Sequence, residues 1–196
     1  MINIHNLETE RGFFMAKELI DQYGMNYTTI HRMVKDGRLE RLAPGCYCRE
    51  EDLPDYYALI QCLCPNAIFS FNSALWLNGM NDYLPQFYEF TLPRGSHAPT
   101  VYADINMKVN YVLPNLFSVG LTQIETINGC KVNVYDKERC LCDIWRRPEL
   151  VSEEDAGRAI RSYFRGSDFN SSKLHEYAQQ FDVEEKVGDA AMLLVM

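Results

Sequence analysis

Gly12 to Arg49 reads GFFMAKELIDQYGMNYTTIHRMVKDGRLERLAPGCYCR. A short amphipathic run, Ala16 to about Tyr23, meets Gly24, which can take the left-handed conformation that stops a helix. Asn26 can cap the next helix through its side-chain oxygen. That helix extends to about Lys35 and stops at Asp36-Gly37. Arg38 to Arg49 then reads as two short strands around Ala43-Pro44-Gly45. Helix, turn, helix and β-ribbon in that order predict a winged helix-turn-helix.

The second helix carries the chemistry. On a 3.6-residue period Tyr27, Ile30, Met33 and Val34 share one face and are expected to pack inward. Thr28, Arg32 and Lys35 fall opposite, flanked by Thr29 and His31. A helix that enters a DNA major groove needs cationic and hydrogen-bonding groups on its outer face and N-terminus. An ordinary solvated helix also has a polar outer face, so the pattern alone does not decide between the two. On the DNA reading, Thr28, Thr29, His31, Arg32 and Lys35 contact bases and phosphates. Arg38, Arg41 and Tyr47 then lie on or near the wing.

Charge is distributed to match. The chain of 196 residues has 19 Lys+Arg and 27 Asp+Glu. Residues 1–49 hold 7 and 6 of these, which leaves 12 and 21 for residues 50–196. An acidic protein does not coat DNA non-specifically, because attraction to phosphate drives such binding. A basic face on an acidic body suits a selective binder of double-stranded DNA. The acidic remainder suits a basic partner, or serves only to keep the chain soluble.

Length allows one or two domains, and 47% hydrophobic residues suffice for a core. No stretch approaches a membrane span. The start, MINIHNLE, lacks the basic and apolar regions of a signal peptide, so the chain is expected in the cytoplasm. Seven cysteines form three C-x-C pairs, Cys46/Cys48, Cys62/Cys64 and Cys140/Cys142, with Cys130 alone. Structural zinc sites favour C-x-x-C, which is absent. Buried, reduced thiols are the expectation, with no metal and no cofactor.

The expected division is a DNA-binding domain over 1–52, a linker from Asp52 to Tyr56, and a second domain over 57–196. In the second, helices are expected near 57–64, 72–78 and 138–145, and strands near 87–92 and 108–113. Strands at 122–127 and 130–135 flank Asn128-Gly129, a strong hairpin signal. Ser152 and the acids after it start a further helix. Ser171 or Ser172 caps another, with Leu174, Tyr177, Ala178 and Phe181 as its apolar stripe. The fold class is therefore α+β: a winged helix-turn-helix, then a mixed α/β domain with an antiparallel hairpin and a helical C-terminus.

Enzymatic signals are poor. There is no P-loop, G-x-S-x-G, H-E-x-x-H or G-x-G-x-x-G. The acids of Asp136 to Asp143 suggest a metal-dependent nuclease, but a structural reading fits better. In it, Asp136 caps a helix and Arg139 pairs with Asp143 at i, i+4. No catalytic residue is expected.

Several motifs carry a family resemblance. They are GRLERL at Gly37–Leu42 with Gly45-Cys46-Tyr47, and PNAIFS at Pro65–Ser70 with Ser73-Ala74-Leu75, Gly79-Met80 and Pro85. TLPRG at Thr91–Gly95, ERCLCD at Glu138–Asp143 and KLHEYA at Lys173–Ala178 follow. In order and spacing the chain resembles the AbiEi-type antitoxins of type IV toxin–antitoxin (abortive infection) systems. One departure is Phe71, where relatives often carry histidine, and this argues against chemistry at that point. The resemblance implies a transcriptional autorepressor that binds inverted repeats in its own promoter. It also implies an antitoxin that counters a nucleotidyltransferase-like toxin without forming a stable complex. A stand-alone winged-helix transcription factor is the alternative, and a nuclease-like enzyme the more distant one.

Overall fold

Leu19, Ile30 and Met33 sit where two short helices face each other, and all three are buried. They belong to the first of two compact units in the computed structural model, which describes residues 7–97 and 105–195. Residues 1–6, part of the stretch read for a leader, lie outside the described residues. The chain is mixed α+β. No helix among the described residues is long and apolar enough to cross a membrane.

The first unit takes the described residues up to Pro65, together with Ile105 and 125–131. It begins with β1 (Phe14–Met15) and α1 (Ala16–Asp21). Gly24, at φ 64, turns the chain into α2 (Tyr27–Lys35). A hairpin follows, β2 (Glu40–Ala43) and β3 (Cys46–Cys48). The strands form an antiparallel sheet in the order β1-β3-β2, with a bulge between Arg41 and Ala43. Leu7, Phe14, Ala16, Leu19, Met25, Ile30, Met33, Leu39 and Tyr47 make one apolar cluster between sheet and helices. Each fully buried large side chain there contributes about 1.5–3 kcal/mol.

The segment expected to be a linker is anchored. Arg49 and Asp52 form a two-point ion pair, with Nη2 to Oδ1 at 2.7 Å and Nε to Oδ2 at 2.9 Å. Asp55 is 6% exposed and caps α3 (Tyr56–Leu63), accepting from the Ala58 N–H at 3.1 Å. Its other oxygen accepts from the Thr126 hydroxyl, and its N–H donates to the Arg11 carbonyl at 2.9 Å. Gly12 makes this approach possible. It has φ 68, and a Cβ there would lie 2.1 Å from the Leu53 carbonyl oxygen.

The second unit holds a five-stranded sheet in the order β6-β5-β4-β8-β7. Its strands are β4 (Ile68–Phe69), β5 (Tyr88–Pro93), β6 (Met107–Val112), β7 (Leu121–Glu125) and β8 (Lys131–Tyr135). β4 runs antiparallel to β5 and parallel to β8, and β5 runs parallel to β6. Between β7 and β8 the Thr126 N–H donates to the Cys130 carbonyl at 2.8 Å, closing the turn expected at Asn128-Gly129. Helices α4 (Phe71–Leu77), α5 (Pro114–Phe117), α6 (Lys137–Arg146), α7 (Glu153–Arg165), α8 (Ser171–Phe181) and α9 (Glu184–Val195) complete the unit. Asn170, one residue before the two expected serines, caps α8 by accepting from the Lys173 N–H at 3.0 Å. Phe71 opens α4 at φ 48 with its ring buried, a conformation that costs a non-glycine residue about 1–3 kcal/mol.

Candidate nucleic-acid interface

Asn26 starts α2 from an extended backbone, its Oδ1 accepting from the Thr29 N–H at 2.8 Å. Ile30 is 1% and Met33 2% exposed, and Val34 packs partly buried against the same cluster. The opposite face carries Thr28, His31, Arg32 and Lys35, all exposed, while Thr29 is half-buried. One helix thus has its apolar side locked in a core and its cationic side open.

Tyr27 departs from expectation. It is 69% exposed instead of packed inward. At 100° per residue it lies about 90° from the mean direction of Ile30 and Met33, at the edge of the apolar stripe. It also sits in the first turn of α2, where no preceding turn of helix covers it.

Tyr47 departs in the other direction. It is 7% exposed and belongs to the apolar cluster. It pairs in register with Phe14 on one side and Arg41 on the other, because β3 is the central strand. A two-stranded ribbon would have left one edge of β3 unpaired. The added strand β1 encloses it, and Cys46, Tyr47 and Cys48 are all buried.

Of the eight residues expected at the interface, Thr28, His31, Arg32, Lys35 and Tyr47 converge with Tyr27 on a shallow cleft of about 470 Å³. Tyr47 contributes to its wall from the core. Thr29, Arg38 and Arg41 do not line this cleft. Arg38 is half-buried. Arg41 is exposed, donates weakly to the Ala43 carbonyl at 3.4 Å, and lies along a separate groove with Glu40 and Glu50. Sequence reasoning missed Tyr27. The available signal was its position at the stripe's edge in a first turn.

Asp136, Glu138 and Asp143 of the second unit are each held by neighbouring groups. Asp136 caps α6, accepting from the Arg139 N–H at 2.9 Å. Lys173 Nζ reaches Asp136 at 3.0 Å and Glu138 at 3.1 Å, and the Tyr163 hydroxyl donates to Glu138 at 2.9 Å. Burial pulls the Lys173 ammonium down, but these carboxylates outweigh it and hold it above its ordinary value. Arg139 Nε meets Asp143 at 2.9 Å with both side chains sealed from solvent. Its Nη1 donates to the Leu116 and Val119 carbonyls at 2.8 and 2.7 Å, and its guanidinium stacks on Tyr135 and Phe181. The i, i+4 pairing expected from the sequence is therefore present. Among the described residues no three His, Cys, Asp or Glu side chains are grouped to hold a metal ion.

All seven cysteines are free thiols. Cys46, Cys48, Cys140 and Cys142 are buried, and Cys62, Cys64 and Cys130 are half-buried. Burial pushes the Cys46 and Cys48 thiols up to about 11 and Cys142 to about 12, and raises Cys140 strongly. Such groups are poor nucleophiles, because the thiolate is the reactive form.

No curated protein matches the chain significantly. Among solved structures, the RV2827C protein from Mycobacterium tuberculosis superposes with a TM-score of 0.65 at 16% identity, covering 90% of this chain and 68% of that one. At that identity the likeness concerns the fold. Residues 5–49, the segment that builds α1, α2 and the β2–β3 hairpin, match the model of a family described as "Transcriptional regulator, AbiEi antitoxin".

Proposed function

We propose that the chain is a cytoplasmic autorepressor and antitoxin of a type IV toxin–antitoxin system, acting in abortive infection and so in phage resistance. In this reading α1, α2 and the β2–β3 hairpin are a winged helix-turn-helix, and α2 is its recognition helix. It binds inverted repeats of double-stranded DNA in the chain's own promoter. The second unit counters a nucleotidyltransferase-like toxin, encoded next to the chain, without forming a stable complex. The chain performs no catalysis. The carboxylates of Asp136, Glu138 and Asp143 are engaged by Lys173, Tyr163, Arg139 and Arg146, which fits a structural role.

One observation carries the reading. Thr28, His31, Arg32 and Lys35 lie exposed on the face of α2 opposite Ile30 and Met33, within the segment that matches a regulator family. A groove-reading helix needs an outer face of this kind and a fixed inner face. The test is a reporter driven by the chain's own promoter, with co-expression of the neighbouring toxin. Wild type represses and rescues growth. Arg32→Ala with Lys35→Ala loses repression and keeps rescue. Repression without rescue by the wild type indicates a stand-alone regulator, and equal repression by wild type and variant removes α2 from the account.

A further inference from the structure

Tyr27 presents a large aromatic ring at the first position of α2, 69% exposed. It lines one cleft with Thr28, His31, Arg32 and Lys35. The ring thus lies among the groups that the DNA-binding reading directs at the groove, at the end of the helix that reaches base edges. An exposed aromatic ring gains free energy when an apolar partner covers it. In the major groove thymine alone presents an apolar group, its C5-methyl. Cations cannot recognise a methyl, and an aromatic face can.

We propose that Tyr27 is a sequence-reading residue, whose ring packs against the C5-methyl of a thymine in each bound half-site. Arg32 and Lys35 supply phosphate contacts that fix the helix on the duplex, and Tyr27 adds discrimination for A·T at one position. This rests on the DNA-binding reading above. Removal of the exposed ring leaves the core untouched, because Ile30 and Met33 hold the inner face.

The test uses the full chain and a duplex that it selects from a randomised pool. Each thymine of that duplex is replaced in turn by deoxyuridine, which removes only the methyl. Wild type and Tyr27→Phe are expected to lose about tenfold affinity at one thymine per half-site. Tyr27→Ala is expected to bind the thymine duplex about tenfold more weakly, to ignore the methyl, and to keep the wild-type salt dependence. If Tyr27→Ala keeps wild-type affinity and methyl sensitivity, the inference falls and the DNA-binding reading stands. A salt dependence reduced by Tyr27→Ala also overturns it, since the residue then contacts phosphate. Failure of the wild type to enrich any sequence removes the DNA-binding reading and this inference together.

Discussion

Tyr27 and Tyr47 line the same cleft but differ in burial: Tyr27 is 69% exposed, and Tyr47 is 7% exposed within the apolar cluster of the first unit. The two rings therefore have different duties. One is available to a ligand, and the other holds α2 against the sheet.

Tyr47→Ala is expected to destabilise the first unit by about 3 kcal/mol or more, as other buried aromatic truncations do. Urea denaturation measures it. Tyr47→Phe keeps the ring and is expected to bind operator DNA like wild type. A Tyr47→Phe protein of native stability but weaker DNA binding places the hydroxyl on DNA and contradicts this assignment.

Arg139 and Asp143 form a buried ion pair in the second unit. Removing one partner of a buried ion pair leaves the other charge uncompensated, which costs about 3–5 kcal/mol. Arg139→Ala is expected near the lower end of that range, because Arg146 still pairs with Asp143 at 2.9 Å, and it also removes the donor to the Leu116 and Val119 carbonyls. Asp143→Ala alone is expected to cost a comparable amount. The double variant is expected to lose much less than the two single losses combined. Additive losses in that double-mutant cycle mean that the pair is not coupled.

Much of this was legible where the cause is local. Asn26 and Gly37 mark both ends of α2, Asn128-Gly129 marks its turn, and Asp136, Arg139 and Asp143 carry the spacing of cap and pair. Long-range causes were not legible. β1 and β4 have two residues each, too few to show a period. No local motif announces the parallel pairing of β5 with β6. β1 pairs with β3 and brings Phe14 to the cluster that holds Tyr47, and nothing within Arg38 to Arg49 announces it. Asp55 read as part of a linker because its partners, Arg11 and Thr126, are distant in sequence.

The buried thiols make stability depend on pH at the alkaline end. An ordinary thiol loses its proton near 9, while burial holds Cys46 and Cys48 to about 11 and Cys142 to about 12. The folded state therefore keeps protons that the unfolded chain releases. Their contribution is intact below about 9 and is lost as pH rises from there towards about 12. Urea midpoints are expected to fall across that window, and less steeply in Cys142→Ala. The same slope in Cys142→Ala and wild type would show that this thiol does not contribute. Alanine is the better probe, since serine would bury a hydroxyl at a site with 0% exposure.

The salt dependence of operator binding reports how many phosphates α2 engages. In the proposed complex Arg32 and Lys35 of α2 contact DNA phosphates. Mobility-shift titrations over a series of salt concentrations are expected to give wild-type affinity on the order of 10⁻⁸ M at physiological salt. Arg32→Ala with Lys35→Ala is expected to bind far more weakly, with a salt slope shallower by up to about two units. Equal affinity and equal slope for wild type and the double variant would contradict these contacts.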